Sequence, residues 1–416
     1  LWPALIPSTS TSRARVLAAQ RVARESAVAA INKIAPLLAL ALAAIAVLGA
    51  STAHSITLPE ERADAMYHSY DGGGVTVDGP SLLVRKNFKE TVSVSGNYYV
   101  DNISSASIDV IASGASKYTE ERTEYSLAAD YLYGKNMFSA GATYSDESDY
   151  QASTYSVGVS QDFFGDLSTI SFGYSLGQDE VSQNGNAGFE EDIDRHSFRI
   201  GWNQVITPKL VLAANYELIT DEGFLNNPYR SYRYLNDPLD PGAGYQLAQE
   251  VYPSTRTSDA ASLQMRYRLP WQAALGGQYR FFTDDWGIDA QTAQIGYTHV
   301  LDQHWTLDLL YRWYSQGQAD FYQDLFLFPS QDEKDYRARD KEMSEFNNQT
   351  LSFYVSYERP LSWRHAYKAA ISLQYDRINF DYDNFTDLTV EAEIPGNEPL
   401  YEFDADVIKL LFTLWY

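Results

Sequence analysis

Apolar and polar side chains alternate with a period of two, in one stretch of about ten residues after another, along most of this chain. Trp305, Leu307, Leu309, Tyr311 and Trp313 alternate with Thr306, Asp308, Leu310, Arg312 and Tyr314. Leu351, Phe353, Val355 and Tyr357 alternate with Ser352, Tyr354, Ser356 and Glu358, and Ile170, Phe172, Tyr174 and Leu176 with Ser171, Gly173, Ser175 and Gly177. The same pattern recurs near 91–101, 123–133, 137–146, 153–162, 196–206, 210–219, 261–269, 273–283, 291–301, 366–376 and 405–416. A strand tilted across a bilayer needs about ten residues, so each stretch is long enough to cross one. With a hairpin around Asp71–Gly74, the chain predicts sixteen antiparallel strands, or fourteen if that hairpin is left out.

Connection lengths alternate as well. Asn87–Glu90, Gly134–Asn136, Phe163–Asp166, Thr207–Lys209, Pro270–Gln272, Asp302–His304 and Arg359–His365 read as tight turns. Between them lie the longer or more acidic segments 102–121, 146–150, 178–194, 220–256, 284–290, 316–346 and 377–403, read as loops. Short turns at one end and long loops at the other are the mark of a bacterial outer-membrane barrel, with turns in the periplasm and loops outside. Closure explains how so many strands carry one lipid-ready face without an unpaired edge. The expected fold class is therefore all-β, a transmembrane outer-membrane β-barrel. The last strand, with Ile408, Leu410, Phe412, Leu414 and Tyr416 on one face, resembles the terminal signal read by the outer-membrane assembly machinery, an expected partner together with outer-membrane lipid and lipopolysaccharide.

Composition agrees with that reading. Aromatic residues make up 14% of the chain and 32 of them are tyrosines, whose apolar ring and polar tip suit the level of lipid headgroups. Mean hydropathy is −0.34, and no apolar run after residue 50 is long enough to span a bilayer as a helix. There is no cysteine, which excludes disulfides, thiolate metal centres, covalent haem attachment and thiol catalysis. Residues 1–53 read as an export segment: Arg13, Arg15, Arg21, Arg24 and Lys33 precede the uncharged stretch from Ile34 to Ala50, followed by small residues at Ser51–Ala53. Residues 54–416 are then the barrel. Five of the 31 basic and one of the 55 acidic residues precede residue 54, so net charge shifts from −24 to −28 on removal of this segment. Such a surface repels nucleic acid.

Asp71-Gly72-Gly73-Gly74 lacks the ending of a phosphate-binding loop and reads as a hairpin turn, with glycine supplying positive φ. The six histidines, His54, His68, His196, His299, His304 and His365, are scattered, without metal-ligand spacing or paired carboxylates at ligand distance. The acidic runs Glu190–Asp194 and Asp381–Asp387 match no calcium loop and read as solvated extracellular loops. No metal or cofactor is implied. A serine hydrolase of the membrane face would need a serine and a third group around a histidine such as His299, and none is placed for it, so no enzymatic role is expected. If apolar faces look outward, Arg199, Arg266, Arg268, Arg280 and Arg312 look inward, with Asp130, Glu217, Asp308 and Glu358. Arginines facing carboxylates across water create a transverse field that biases permeation toward anions, whereas the same groups as salt bridges would fill a closed interior.

Several segments resemble a family of proteobacterial outer-membrane proteins of unknown function: Tyr70–Ser81, Val84–Phe88, Ser104–Val110, Glu120–Tyr125 and Gln161–Asp166. The resemblance implies a barrel and brings no catalytic residues. Members of that family tend to be encoded near small lipoproteins, flavin-attaching enzymes and thioredoxin-like proteins. The leading expectation is a porin-like channel or the membrane-spanning component of an envelope assembly; the resemblance implies, as the alternative, a non-conducting scaffold for a periplasmic or lipoprotein partner in redox or metal handling.

Overall fold

The computed structural model describes residues 56–105, 118–363 and 365–416. Sixteen strands close into one antiparallel barrel. They are β1 (Arg62–Gly72), β2 (Val75–Phe88), β3 (Val92–Ser105), β4 (Tyr118–Tyr133), β5 (Asn136–Asp146), β6 (Tyr150–Phe163), β7 (Ser168–Ser182), β8 (Glu190–Thr207) and β9 (Leu210–Gly223). A short hairpin outside the barrel follows, β10 (Ser231–Leu235) and β11 (Tyr245–Gln249). The barrel resumes with β12 (Thr255–Arg268), β13 (Ala273–Asp284), β14 (Asp289–Leu301), β15 (Trp305–Gln316), β16 (Phe346–Trp363), β17 (Ala366–Thr386) and β18 (Leu400–Trp415). Each barrel strand pairs with its neighbours in sequence, β9 with β12 across the hairpin. Closure comes from β1 and β18, in continuous register from Arg62 opposite Trp415 to Gly72 opposite Ala405. Among the described residues no helix is long and apolar enough to cross a membrane, so spanning falls to the strands, whose backbone groups closure satisfies.

Alternation divides the wall into two faces. Outside, Leu127 (62% exposed), Val157, Ile200, Leu263, Ile295, Leu309, Leu351 and Ile371 form an apolar band. Tyrosines such as Tyr67, Tyr216, Tyr279, Tyr311 and Tyr375 edge it toward the loops, while Tyr133, Tyr267, Trp271, Trp305 and Trp363 edge it toward the turns. Two aromatic girdles around an apolar band are what a strand wall needs where hydrocarbon gives way to headgroups. Inside stand serine, threonine, glycine and charged residues; Ser95, Ser139, Ser156 and Ser171, for example, share registers of the inner face with Arg85, Asp130, Gly141 and Gly201.

The expected sixteen strands are present, including the hairpin, whose turn residues Gly73 (φ 58°) and Gly74 (φ 77°) occupy the left-handed region that a two-residue turn requires. Boundaries differ from expectation at the loop end. Strands there outlast the expected ten residues, up to 21 in β17. Glu190–Asp194, expected as a loop, belongs to β8 and pairs with β7 from Ser182 onward, with Ile193 buried on the inner face. Asp381–Thr386 likewise belongs to β17. Backbone pairing between neighbours continues beyond the apolar band because it does not depend on what the side chains face. The expected turn Arg359–His365 shrinks to the chain reversal between Trp363 and Ala366, β16 running through Pro360 with a register shift. The expected export segment, residues 1–53, lies outside the described residues, as do residues 106–117 of the expected loop 102–121.

Candidate functional site

All nine charged residues that alternation assigns to the interior stand on the inner face, and they fall into two kinds. Some are neutralised. Arg199 Nε donates to Glu217 Oε1 at 2.5 Å across the β8–β9 register, Arg85 reaches over β3 to Asp130 at 3.3 Å, and Lys368 meets Glu358 at 3.4 Å. Others are not. Arg266, Arg268, Arg280 and Arg312 have no carboxylate within ion-pair distance among the described residues; Arg266 and Arg268 are exposed, whereas Phe282 and Tyr314 rings lie 5.5 and 5.8 Å from the guanidiniums of Arg280 and Arg312. Asp308 accepts a hydrogen bond from the Thr298 hydroxyl.

At the loop end the interior is partly capped. Residues 224–254, which carry the β10–β11 hairpin, and residues 317–345 lock together through paired backbone hydrogen bonds, Leu235 N to Phe326 O (3.0 Å), Phe326 N to Arg233 O (2.9 Å) and Arg337 N to Val251 O (2.8 Å). Tyr322 and Phe385, both almost fully buried, pack with Tyr382 and Phe346 on the inner faces of β17 and β16, so the cap is seated on that side of the wall. Its centre is ionic. Arg233, without solvent exposure, donates to Asp324, to Glu398 Oε1 (2.7 Å) and to the Thr386 hydroxyl (2.9 Å), while Arg339 reaches Asp324 Oδ1 at 2.9 Å. Between the cap and the inner faces of β4 to β9 remains a vestibule of about 1050 Å³.

The vestibule is lined by carboxylates and guanidiniums together with Tyr118, Tyr150 and Tyr229. Arg195, Asp221 and Arg256 stand side by side in one register of β8, β9 and β12. Arg195 is bridged to Asp179 at 3.0 Å and Arg256 to Asp284 at 2.6 Å. Burial raises the Glu147 carboxyl, with Arg122 opposing and Asp149 and Glu120 adding to the rise. Glu250, under the cap, is pushed up to about 7 by burial, with Asp340 reinforcing it, although it accepts from Arg339 N (2.7 Å) and the Tyr252 hydroxyl (2.8 Å).

Among the described residues no group of three metal-ligating side chains occurs. His68, on the inner face of β1, stacks on Tyr99 at 4.8 Å and has a single carboxylate beside it, Asp101 Oδ1 at 2.7 Å. Thirty-three residues separate the two in sequence, and only the β2 and β3 registers join them. His299 faces outward next to Tyr297 (3.0 Å), His304 and His365 occupy turns as expected, and His54 lies outside the described residues. Sequence reasoning missed Arg85, Arg195, Arg256 and the cap. The parity of Arg195 with Arg199 is the available signal, hidden because the expected strand begins only at 196 whereas β8 begins at Glu190.

The family model described as Protein of unknown function (DUF3570) matches residues 110–379. The chain belongs to this family. No curated protein matches the chain. Among solved structures, the DUF3570 barrel is similar to the siderophore receptor PirA from Pseudomonas aeruginosa, with 11% identity over 86% of this chain and 64% of that one, TM-score 0.43. It is also similar to a bacterial polysaccharide outer membrane secretin (7% identity, 86% and 100% covered, TM-score 0.46) and to a Pseudomonas aeruginosa FadL homologue (12% identity, 86% and 90% covered, TM-score 0.39). The chain thus spans less than two thirds of the siderophore receptor's length.

Proposed function

We propose that this DUF3570 barrel is a non-enzymatic, water-filled passage for small polar solutes across the outer membrane of a Gram-negative bacterium, its capped vestibule facing outside. The observation that carries this reading is the pair Arg266 and Arg268, inside the barrel, exposed and without ion pairs among the described residues. An unpaired guanidinium keeps its charge at any physiological pH and is too costly to strand in a dry interior, so water must reach it. A sixteen-stranded cylinder is wide enough to supply that water. Orientation follows from the long connections at the capped end and the short ones at the other. The serine–histidine chemistry of membrane-face hydrolases finds no support: outward-facing His299 hydrogen-bonds Tyr297, and buried His68 is engaged by Asp101 and Tyr99.

Single-channel recording of the purified full-length protein in planar bilayers tests the reading. Discrete ohmic conductance steps are expected. A barrel that folds, as judged by its heat-modifiable mobility in detergent gels, yet stays electrically silent would end it.

A further inference from the structure

The four unneutralised arginines are not scattered over the wall. Following the sheet from β12 across β13 and β14 to β15, Ser262 is opposite Arg280, Gln264 leads through Gln278 and Gln294 to Arg312, and Arg266 and Arg268 stand in the next two inward registers of β12 itself. Four consecutive inward registers therefore carry one guanidinium each. The same four strands hold twelve other residues in these registers: Thr, Ser, Gln, Gly, Ala, one Leu, one Tyr and one carboxylate, Asp308, which shares the register of Arg268. The patch is four positive charges against one negative one.

Toward the mouth the pattern changes. In the register of Ala260, Arg199 is neutralised by Glu217, and in that of Arg256 both guanidiniums are bridged to acids. On the facing wall, Asp101 and Glu124 are both met by Arg122 and Asp130 by Arg85. Charges whose role is to hold a wall together come with partners. Arg280 and Arg312 have aromatic rings beside them and Arg266 and Arg268 are exposed, with the Glu217 carboxylate acting on Arg280 from beyond ion-pair distance.

We propose that Arg280, Arg312, Arg266 and Arg268 form a track for small oxyanions, solutes bearing a carboxylate or phosphate group, through the passage proposed above, on which this inference rests. Arg266 and Arg268, successive inward residues of one strand, are about 7 Å apart, within the Debye length of about 8 Å at physiological salt, so an anion held at one already feels the other; Arg280 stands one strand away on β13 and Arg312 three strands away on β15. The guanidinium fork binds two oxygens of one carboxylate or phosphate at once, a match that chloride cannot make. Gln264, Gln278 and Gln294 offer further donors in the same patch. The track runs opposite in sign to the molecule's net charge of −24, so it cannot be a by-product of composition.

Reversal potentials of the full-length protein under a KCl gradient, with inorganic phosphate or malonate then added, test the proposal. Expected are an anion-over-cation permeability ratio on the order of tenfold, as charged clefts of this kind concentrate counter-ions, and a fall in chloride current on adding either oxyanion. The two additions tell phosphate recognition from recognition of oxyanions in general. Arg266→Gln with Arg268→Gln, and separately Arg280→Gln with Arg312→Gln, should each lower the ratio and weaken the block. Should either variant fail to fold, the block of the unmodified protein decides alone. Conductance without anion preference, or a chloride current indifferent to both oxyanions, overturns the track and leaves the passage standing; silence overturns both.

Discussion

Glu250 is 2% exposed and sits where the cap meets the vestibule, which makes it a titrating group in a place that water barely reaches. Its carboxyl is raised to about 7, and the sign of the consequence follows from linkage. At acid pH the group is protonated whether the cap is folded or open, so burial adds no charge cost. Between the ordinary carboxylate value and about 7 the open form ionises while the folded one keeps its proton. Across that window the folded cap therefore loses stability as pH rises. Hydrogen exchange at residues 224–254, corrected for the intrinsic pH dependence of exchange, should show more protection at pH 5 than at pH 8, and Glu250→Gln should flatten the difference. Equal protection at both values would mean that the carboxyl is ionised in place. Such residues were not legible in the sequence. Glu250 lies in a segment with no period, so nothing marks it as buried, whereas Arg266 and Arg268 could be assigned inward from the two-residue alternation around them alone.

Strands carry their register on their face, and this is why the barrel could be read from the chain. The apolar parity of Leu263, Met265 and Tyr267 places Arg266 inward without reference to any other strand, and the same holds along β15 and β16. What the pattern cannot give is pairing between loops. The cap is assembled from β10, the segment 317–345 and the end of the β17–β18 connection, brought together by Arg233 across 91 residues to Asp324 and 165 to Glu398. Removing one partner from a buried ionic cluster leaves the others charged and unpaired, at a cost of about 3–5 kcal/mol. Arg233→Ala should therefore open the cap while sparing the barrel. Limited proteolysis should cut within 224–254, 317–345 or 387–399 at least tenfold faster, with heat-modifiable mobility unchanged. A cap that resists protease in that variant would show that the apolar contacts of Tyr322 and Phe385 suffice to seat it.

Seen whole, the interior has two zones of opposite charge balance in series. Outermost is the vestibule, where guanidiniums are matched by carboxylates and Glu120, Glu147 and Asp149 leave the balance acidic; deeper lies the arginine patch of β12 to β15, where the balance reverses. In the passage proposed above, an anion entering from outside would meet the unfavourable zone before the favourable one, so the outer zone would limit entry and the inner one would set selectivity. The cap narrows the outer zone by covering the side of the mouth lined by β16 and β17. Replacing residues 225–250 with a short Gly-Ser link removes the β10–β11 part of the cap together with Arg230 and Glu250 and leaves 317–345 in place, while β9 and β12 remain joined and adjacent in the sheet. Single-channel conductance should then rise severalfold with the anion preference retained, because the patch that discriminates is untouched. An unchanged conductance would place the narrowest point at the arginines themselves, where removing the β10–β11 part of the cap cannot widen it.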